Sequence, residues 1–472
     1  MKKILSIILT LTLSATVFAQ PLPKKLEHNE KMAWWRNAKF GMFVHWGPYC
    51  LYGGVYNGFN QRRGGAEWIM NRCKIPVREY RAKACTFNPV DFNAEELVLT
   101  AKNAGMKYII FTTKHHDGFA MFKSNASEFN IVDYTPFKRD IVDELAKACR
   151  KHHIKLGFYY SQTQDWCNPG GGTIRKEMKE GWANPDSVAI DNFTQENLGG
   201  WDCLQRSASL DDYFRKVAIP QIKELLTNYG DVAVMWWDTP HRISKETAAE
   251  ITAELAKYPQ VITNDRLRRP DFPGDYKTPE GRIPHAKDIE RVDWETCMNI
   301  GSSWGYKSWE KNWKSAETII RNLNTIAARG GNYLLNVGPD PTGVVPAPAL
   351  DCLRKVGEWM RGYATQRSEI FPPWGECIRK DEKKNSVYYL SVFQWPEDGK
   401  LAFDTKYTVK EAMLLADGTK LKFTKTPGGI TIQVPTQAPD KIATVVRLEL
   451  KEKLPAIQLI SNTAKAFEIA DE

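Results

Sequence analysis

A chain of 472 residues exceeds one ordinary domain, and 42% hydrophobic with 26% charged residues is a globular balance, which excludes a disordered or fibrous protein. The formal charge of +9 comes from lysines and arginines scattered along the chain, so there is no basic stripe for nucleic acid. Nine cysteines without a Cys-x-x-Cys pair lack the spacing of a structural metal site; most read as buried thiols, with room for one or two bridges.

Residues 1–19 read as a secretory signal. Lys2 and Lys3 form the charged end, Ile4 to Val17 supply the apolar stretch, and Val17-Phe18-Ala19 is a small-x-small cleavage site. Removing them lowers the formal charge to +7. No cysteine follows the cleavage site, and no later apolar run approaches the ~18 residues needed to cross a bilayer. A soluble bacterial protein, periplasmic or secreted, is expected.

In chain order, an apolar run at 40–44 ends in His45-Trp-Gly47, and a Gly-rich loop leads to Glu67-Trp68. A helix over 93–104 precedes a β-branched strand over 108–114, which ends in His115-His116-Asp117. A helix over 139–152 and a strand over 155–161 follow, then a long polar loop at 162–208. A helix over 210–229 leads to the unbroken apolar run Val232 to Trp237, which stops at the carboxylate of Asp238. Such a run is a strand buried on both faces, and Trp236 shares a face with Asp238. Helices over 245–257, 315–329 and 347–362 alternate with strands ending near Arg266, Glu295 and Asn336, with a Pro/Gly-rich loop at 270–285 between the first two strands.

This alternation of strand and helix predicts a parallel sheet. A polar residue at each strand end favours a closed (β/α)8-like TIM barrel over an open sheet, since no Gly-x-Gly-x-x-Gly or Walker-type loop follows any strand. Beyond about residue 372 the pattern becomes short strands with Gly, Asp and Pro turns, the mark of an antiparallel β-sandwich. The expected division is a signal at 1–19, a catalytic barrel at 20–368 and a sandwich at 369–472.

His45, His115, His116, Tyr160, Asp238, Arg266 and Glu295 stand at successive strand ends, flanked by Trp236 and Trp304. Buried polar groups each need a partner, so this many on one rim point to a polar, aromatic-walled pocket of the kind that suits a sugar ring. Adjacent strand residues face opposite sides, so His115 and His116 are not expected to share a metal, and no metal or cofactor is expected. There is no Gly-x-Ser-x-Gly elbow for acyl transfer. Asp238, Glu280, Glu295 and Glu67 offer the two carboxylates that glycoside hydrolysis uses, one to attack or stabilise the anomeric centre and one to protonate the leaving oxygen.

His45-Trp-Gly47, Glu67-Trp68, Lys114-His-His-Asp-Gly-Phe119, Tyr159-Tyr-Ser161, Trp236-Trp-Asp238, Asn264-Asp-Arg266, Trp294-Glu-Thr-Cys297, Ser303-Trp-Gly-Tyr306 and Gly331-Asn-Tyr-Leu-Leu-Asn-Val-Gly-Pro339 occur in this order between about 30 and 370. The set resembles the α-L-fucosidases of glycoside hydrolase family 29. The resemblance implies exo-acting, retaining, metal-free hydrolysis of terminal α-L-fucose from glycans. It makes Asp238 the nucleophile, and His45, His115, His116, Tyr160, Trp236 and Arg266 the residues that hold the sugar's oxygens. Glu67 and Trp68 belong to the same binding set, and Trp304 would pack on the C6 methyl group. The stretch Gly274 to Glu280 resembles the one that carries the acid/base, so Glu280 is assigned that role, with Glu295 as the runner-up. Two other readings remain open at this point: a hydrolase for a related sugar (α-L-galactoside or β-D-galactoside), and a fucose-binding protein without catalysis.

Overall fold

Seven parallel strands curl into one sheet, and the stretch after the fifth closes it into a barrel. The computed structural model describes residues 28–61, 64–73, 75–171, 208–240, 242–285, 292–360, 370 and 372–455; the expected leader, Cys203 and most of the 162–208 loop lie outside them. The strands are β1 (Phe40–Val44), β2 (Tyr108–Lys114), β3 (Lys155–Ser161), β4 (Val232–Asp238), β5 (Ile262–Thr263), β6 (Glu295–Asn299) and β7 (Asn332–Val337). Their spatial order is β5-β4-β3-β2-β1-β7-β6, with every pairing parallel. The strands are buried almost throughout, as their continuous apolar sequences require.

Residues 275–281 take the eighth place between β5 and β6. Asp275 N–H donates to Thr263 O (2.7 Å), Lys277 N–H to Asp293 O (2.9 Å), Glu295 N–H to Lys277 O (2.8 Å) and Gly281 N–H to Cys297 O (3.0 Å). Pro279 has no N–H to give a ladder, so the pairing survives only as isolated parallel bridges, among them Glu280 with Cys297. The sequence marks this stretch as a loop; in the fold it is the segment that closes the barrel.

Helices pack on the outside: α1 (His28–Ala38), α2 (Ala94–Asn103), α3 (Ile141–His152), α4 (Ile219–Asn228), α5 (Lys245–Leu255), α6 (Ala316–Ala328) and α7 (Ala347–Met360). The side chains of Asn93, Asp140, Ser244 and Ser315 accept from first-turn amides of α2, α3, α5 and α6. A cap of this kind contributes about 1 kcal/mol. Along β3 the two faces separate cleanly. Leu156, Phe158 and Tyr160 pack outward in the helix-facing core, and Tyr159 points inward with Phe43, Ile110, Val234, Trp236 and Leu334. Each such buried side chain contributes roughly 1.5–3 kcal/mol. At Gly157 a Cβ would lie 2.5 Å from Ile110 Cδ1 and 2.7 Å from Val234 Cβ, so the tapering interior admits only glycine there.

The C-terminal sheets form an antiparallel sandwich. One has four strands, β8 (Gly375–Asp381), β9 (Ser386–Val392), β14 (Thr444–Leu450) and β11 (Val409–Leu414); the other has β10 (Lys400–Asp404), β13 (Gly429–Gln433) and β12 (Phe423–Thr426). They share a core that includes Leu390, Phe403, Leu414, Ile432 and Leu448. The opposite face of the larger sheet, through Ile378, Val387, Tyr389 and Val445, packs on Ala327 and Ala328 of α6. Of the eight described cysteines Cys85 alone is exposed, and the other seven are buried. No helix among the described residues is long and apolar enough to cross a membrane.

Candidate active site

β4 carries Trp236 and Asp238 inward at the C-terminal end of the barrel, where they meet a cavity of ≈ 210 Å³. That volume is below the usual range for drug-sized ligand pockets and matches a single sugar ring rather than an oligosaccharide. Phe43 and His45 come from the end of β1, Glu67 and Trp68 from the loop after it, and His115 and His116 from the end of β2. Arg266 follows β5, Glu280 lies on the closing segment, Cys297 is in β6, and Trp304 stands in the loop before α6. Ten of the residues expected from sequence therefore line one cavity: His45, Glu67, Trp68, His115, His116, Trp236, Asp238, Arg266, Glu280 and Trp304.

Three expectations are corrected. Tyr160 is not in the cavity: it faces the helices, and its hydroxyl donates to Gln221 Oε1 at 2.8 Å. The tyrosine in the cavity is Tyr159, whose hydroxyl donates to Asp238 Oδ2 at 2.8 Å. Glu295 does not line the cavity either. It is buried beneath Trp236, accepting from Trp236 Nε1 (3.0 Å) and from the Tyr108 hydroxyl (2.6 Å). His115 and His116 do not face opposite sides. Both follow the last residue of β2, where strand alternation no longer holds, and their ring centroids are 4.0 Å apart.

Asp238 is held from all sides. Oδ1 accepts from Arg266 Nη1 at 3.1 Å and from the Thr239 amide at 2.8 Å, and Oδ2 accepts from Tyr159. Burial favours the neutral acid, but the Arg266 charge, the Tyr159 hydroxyl and the Thr239 amide together outweigh it and hold the carboxyl below its ordinary range. Its backbone amide donates to Gln162 Oε1 at 3.0 Å, and Gln162 Nε2 donates to Arg266 O at 2.7 Å, so one buried amide ties the strand end to the arginine. Thr239 adopts a left-handed φ of 51°, which β-branched residues avoid, and its Oγ1 lies 2.9 Å from Thr163 Oγ1. Strain of this kind, roughly 1–3 kcal/mol, persists where neighbouring contacts over-determine it.

Arg266 joins two of the cavity's three carboxylates, Asp238 and Glu280. Nη2 pairs with Glu280 Oε2 at 2.9 Å while Nη1 holds Asp238, and Nε donates to Thr278 Oγ1 on the closing segment at 2.9 Å. The guanidinium also lies over the Trp236 ring, 4.9 Å from its centroid, and Trp236 stacks on Tyr159 at 5.6 Å.

Residues 10–365 match the family model of alpha-L-fucosidases. The chain belongs to the alpha-L-fucosidase family. It is a glycoside hydrolase, and its relatives carry the same name. This fucosidase is 27% identical to the plasma alpha-L-fucosidase of Rattus norvegicus over 88% of its own length and 90% of that protein's. It is similar to the solved alpha-L-fucosidase isoenzyme 1 of Paenibacillus thiaminolyticus, with a TM-score of 0.77 and 30% identity over 90% of this chain and all (100%) of that one. A third likeness is to a GH29 alpha-L-fucosidase of Bacteroides thetaiotaomicron, trapped as a covalent intermediate with 2-fluoro-fucosyl fluoride; the TM-score is 0.76 and the identity 27%, over 91% of this chain and 98% of that one.

The imidazoles of the fucosidase can be assigned from their partners. Ser161 Oγ donates to Gln164 O at 3.0 Å, so the 2.7 Å contact between Ser161 Oγ and His116 Nδ1 is donated by the ring. His116 Nε2 then faces Asp238 Oδ2 at 3.6 Å. Burial pushes His45 down to about 4 and His115 well below its ordinary value, so both rings are neutral near pH 7. Glu67 is raised by burial to about 7; Oε2 accepts from the Gly305 amide at 2.8 Å, and Oε1 is buried at the cavity without a partner. Among the described residues no group of three or more His, Cys, Asp or Glu side chains could hold a metal ion.

Tyr159, Phe43, Gln162 and Thr239 were missed by sequence reasoning. For Tyr159 a signal was present. The bulky set Leu156, Phe158 and Tyr160 shares one strand parity and marks the helix-facing side, which leaves Gly157 and Tyr159 for the interior. Gln162 carried no signal, since its partners lie 76 and 104 residues away.

Proposed function

We propose that the protein removes terminal α-L-fucose from glycans with retention at the anomeric carbon, Asp238 acting as nucleophile and Glu280 as acid/base. In the first step an Asp238 oxygen attacks C1 and the C1–O bond to the aglycone breaks. Its electron pair goes to the leaving oxygen, which takes the proton of Glu280. In the second step Glu280 takes a proton from water, the water oxygen bonds to C1, and the Asp238 ester bond breaks to release fucose.

The observation that carries this reading is the shared guanidinium. Before the first step the negative charge rests on Asp238; after it Asp238 is a neutral ester and Glu280 is the carboxylate. Arg266 touches both, at 3.1 and 2.9 Å, so one cation counters the charge at either end of the transfer. Glu280 is on the open side of the cavity, with its side chain 45% exposed, the position from which an acid meets a leaving group that extends into solvent. His45, His115, His116, Trp236 and Arg266 are assigned to the sugar's oxygens, with Tyr159 supporting the nucleophile. Glu67 and Trp68 complete that set, and Trp304 is assigned to the C6 methyl group, where an apolar wall favours a 6-deoxy sugar.

The proposed division is a catalytic unit over 20–368 and a sandwich over 369–472, with a secretory leader at 1–19 and a bacterial periplasmic or extracellular site of action. The test of the chemistry is Asp238→Ala assayed on an aryl α-L-fucoside. Activity should fall by about 10³-fold or more, and added azide should restore part of it as a β-fucosyl azide. An unimpaired Asp238→Ala enzyme would refute the reading.

A further inference from the structure

Asn336 lies behind the cavity, not in it, at the end of β7, and it is 1% exposed. Its amide makes three bonds. Nδ2 donates to the backbone carbonyl of Trp304 at 2.8 Å and to Asn299 Oδ1 at 3.0 Å, and Oδ1 lies 2.7 Å from His45 Nδ1. A backbone carbonyl can only accept, so the amide nitrogen must face Trp304 and the amide oxygen must face His45. That oxygen can only accept, and the neutral His45 ring must therefore carry its single proton on Nδ1. Nε2 is left with a lone pair. The cavity wall at His45 is then a hydrogen-bond acceptor, whatever the sugar does.

The same amide fixes the wall's second half. Trp304 sits 5.0 Å from the His45 ring centroid, and its backbone is held by Asn336 on one side and by the Glu67 bond to the Gly305 amide on the other. Gly338, two residues past Asn336, lets this loop come close: a Cβ there would stand 2.8 Å from Trp304 O and 2.9 Å from Tyr306 N.

We propose that Asn336 is a positioning residue that sets His45 as an acceptor toward a fucose hydroxyl and seats Trp304 beside it, so that one buried amide couples recognition of a hydroxyl to recognition of the neighbouring apolar edge. The inference rests on the reading of this cavity as the fucose site. It makes the enzyme require a hydrogen-bond donor on the sugar at His45, which a fluorine in place of that hydroxyl cannot supply. The charged and titratable groups that face His45 are Asp238, His115 and Tyr159. Asp238 is the one carboxylate among them, and it is already held by three donors.

Two variants and one spectrum test this. In Asn336→Asp a carboxylate would accept from Nδ1–H and stabilise the imidazolium, converting Nε2 to a donor. kcat/KM should then gain a new acidic limb that the native enzyme lacks, with activity recovering as pH rises through the new pKa. A uniform loss at every pH, with no new limb, would mean a merely structural role and overturn the proposal. Asn336→Ala should raise KM on the order of tenfold, with a smaller fall in kcat, because ground-state and transition-state contacts are both loosened. Independently of how either variant folds, the 15N resonances of the native His45 ring should show a protonated Nδ1 and an unprotonated Nε2 that shifts on adding fucose. A protonated Nε2 in a ring that responds to fucose would overturn this inference alone. Resonances that ignore fucose would overturn the cavity assignment and this inference with it.

Discussion

Tyr159 donates its hydroxyl to Asp238 Oδ2 at 2.8 Å while its ring stacks at 5.5 Å on His115 and at 5.6 Å on Trp236. One side chain thus holds the attacking carboxylate with its polar end and braces the sugar-facing rings with its apolar face. Burial and the adjacent carboxylate keep the phenol protonated, so it remains a donor across the working range.

Tyr159→Phe keeps the stack and removes only the donor. A hydrogen bond to a charged group contributes roughly 1.5–3 kcal/mol, so kcat/KM should fall about 10–100-fold. Asp238 titrates below its ordinary value, and activity that needs the carboxylate is lost as pH falls through that pKa. Removing a donor raises the pKa, so the acid limb of kcat/KM should move to higher pH. Tyr160→Phe, which removes a hydroxyl bonded to Gln221, should leave that limb where it is.

Glu280 and Glu295 are separated by leaving-group dependence. Glu280→Ala should keep kcat/KM almost normal on fucosides whose leaving group needs no proton, although kcat falls because the second step loses its base, and kcat/KM should fall about 10²–10⁴-fold on natural glycans. Glu295→Ala should lower activity on both alike, because Glu295 acts only through the Trp236 indole it holds. Steady-state rates on a series of aryl fucosides decide between them, and a steep leaving-group dependence in Glu295→Ala would exchange the assignments.

Much of this was legible in the sequence, and the limits have physical causes. Asp238 and Trp236 stood out because a strand buried on both faces cannot end in a carboxylate without a reason. The barrel followed from the strand–helix alternation, and His45, Arg266 and Trp304 from their places at strand ends and loops. The choice between Tyr159 and Tyr160 depended on strand parity, and the bulky alternate positions Leu156, Phe158 and Tyr160 carried that signal. The closing segment was hidden by Pro273, Gly274 and Pro279, since its pairing is made by isolated bridges and not by a periodic strand. Asn336 was legible only as the polar end of a strand, because the ring it orients is 291 residues away.

Glu295 also carries a stability prediction. Burial raises it from 4.5 to about 7, so the folded chain favours the neutral acid. Stability from this group is full below about 4.5 and is lost as pH rises through about 7. Glutamine stays neutral throughout. The Tm of Glu295→Gln relative to the native protein should therefore rise between pH 5 and pH 8; a difference that stays constant would show that the carboxyl ionises as freely folded as unfolded. Glu67 and Asp117, raised to about 7 by burial as well, are present in both proteins and cancel.

Trp304 should set the preference for a 6-deoxy sugar. An added hydroxyl against an apolar wall costs about 1–3 kcal/mol, so the native enzyme should favour an aryl α-L-fucoside over the matching α-L-galactoside by roughly 10–200-fold in kcat/KM. Trp304→Ala should narrow that ratio several-fold, chiefly by slowing the fucoside. An unchanged ratio would remove Trp304 from the C6 position.

The most direct test is to trap the ester. Incubation with 2-fluoro-fucosyl fluoride slows the second step more than the first, and proteolysis with peptide mass spectrometry then locates the sugar. A single 2-fluoro-fucosyl group on Asp238 is expected. The same group on Glu280, Glu295 or Glu67, or turnover through inversion with no adduct, would contradict it.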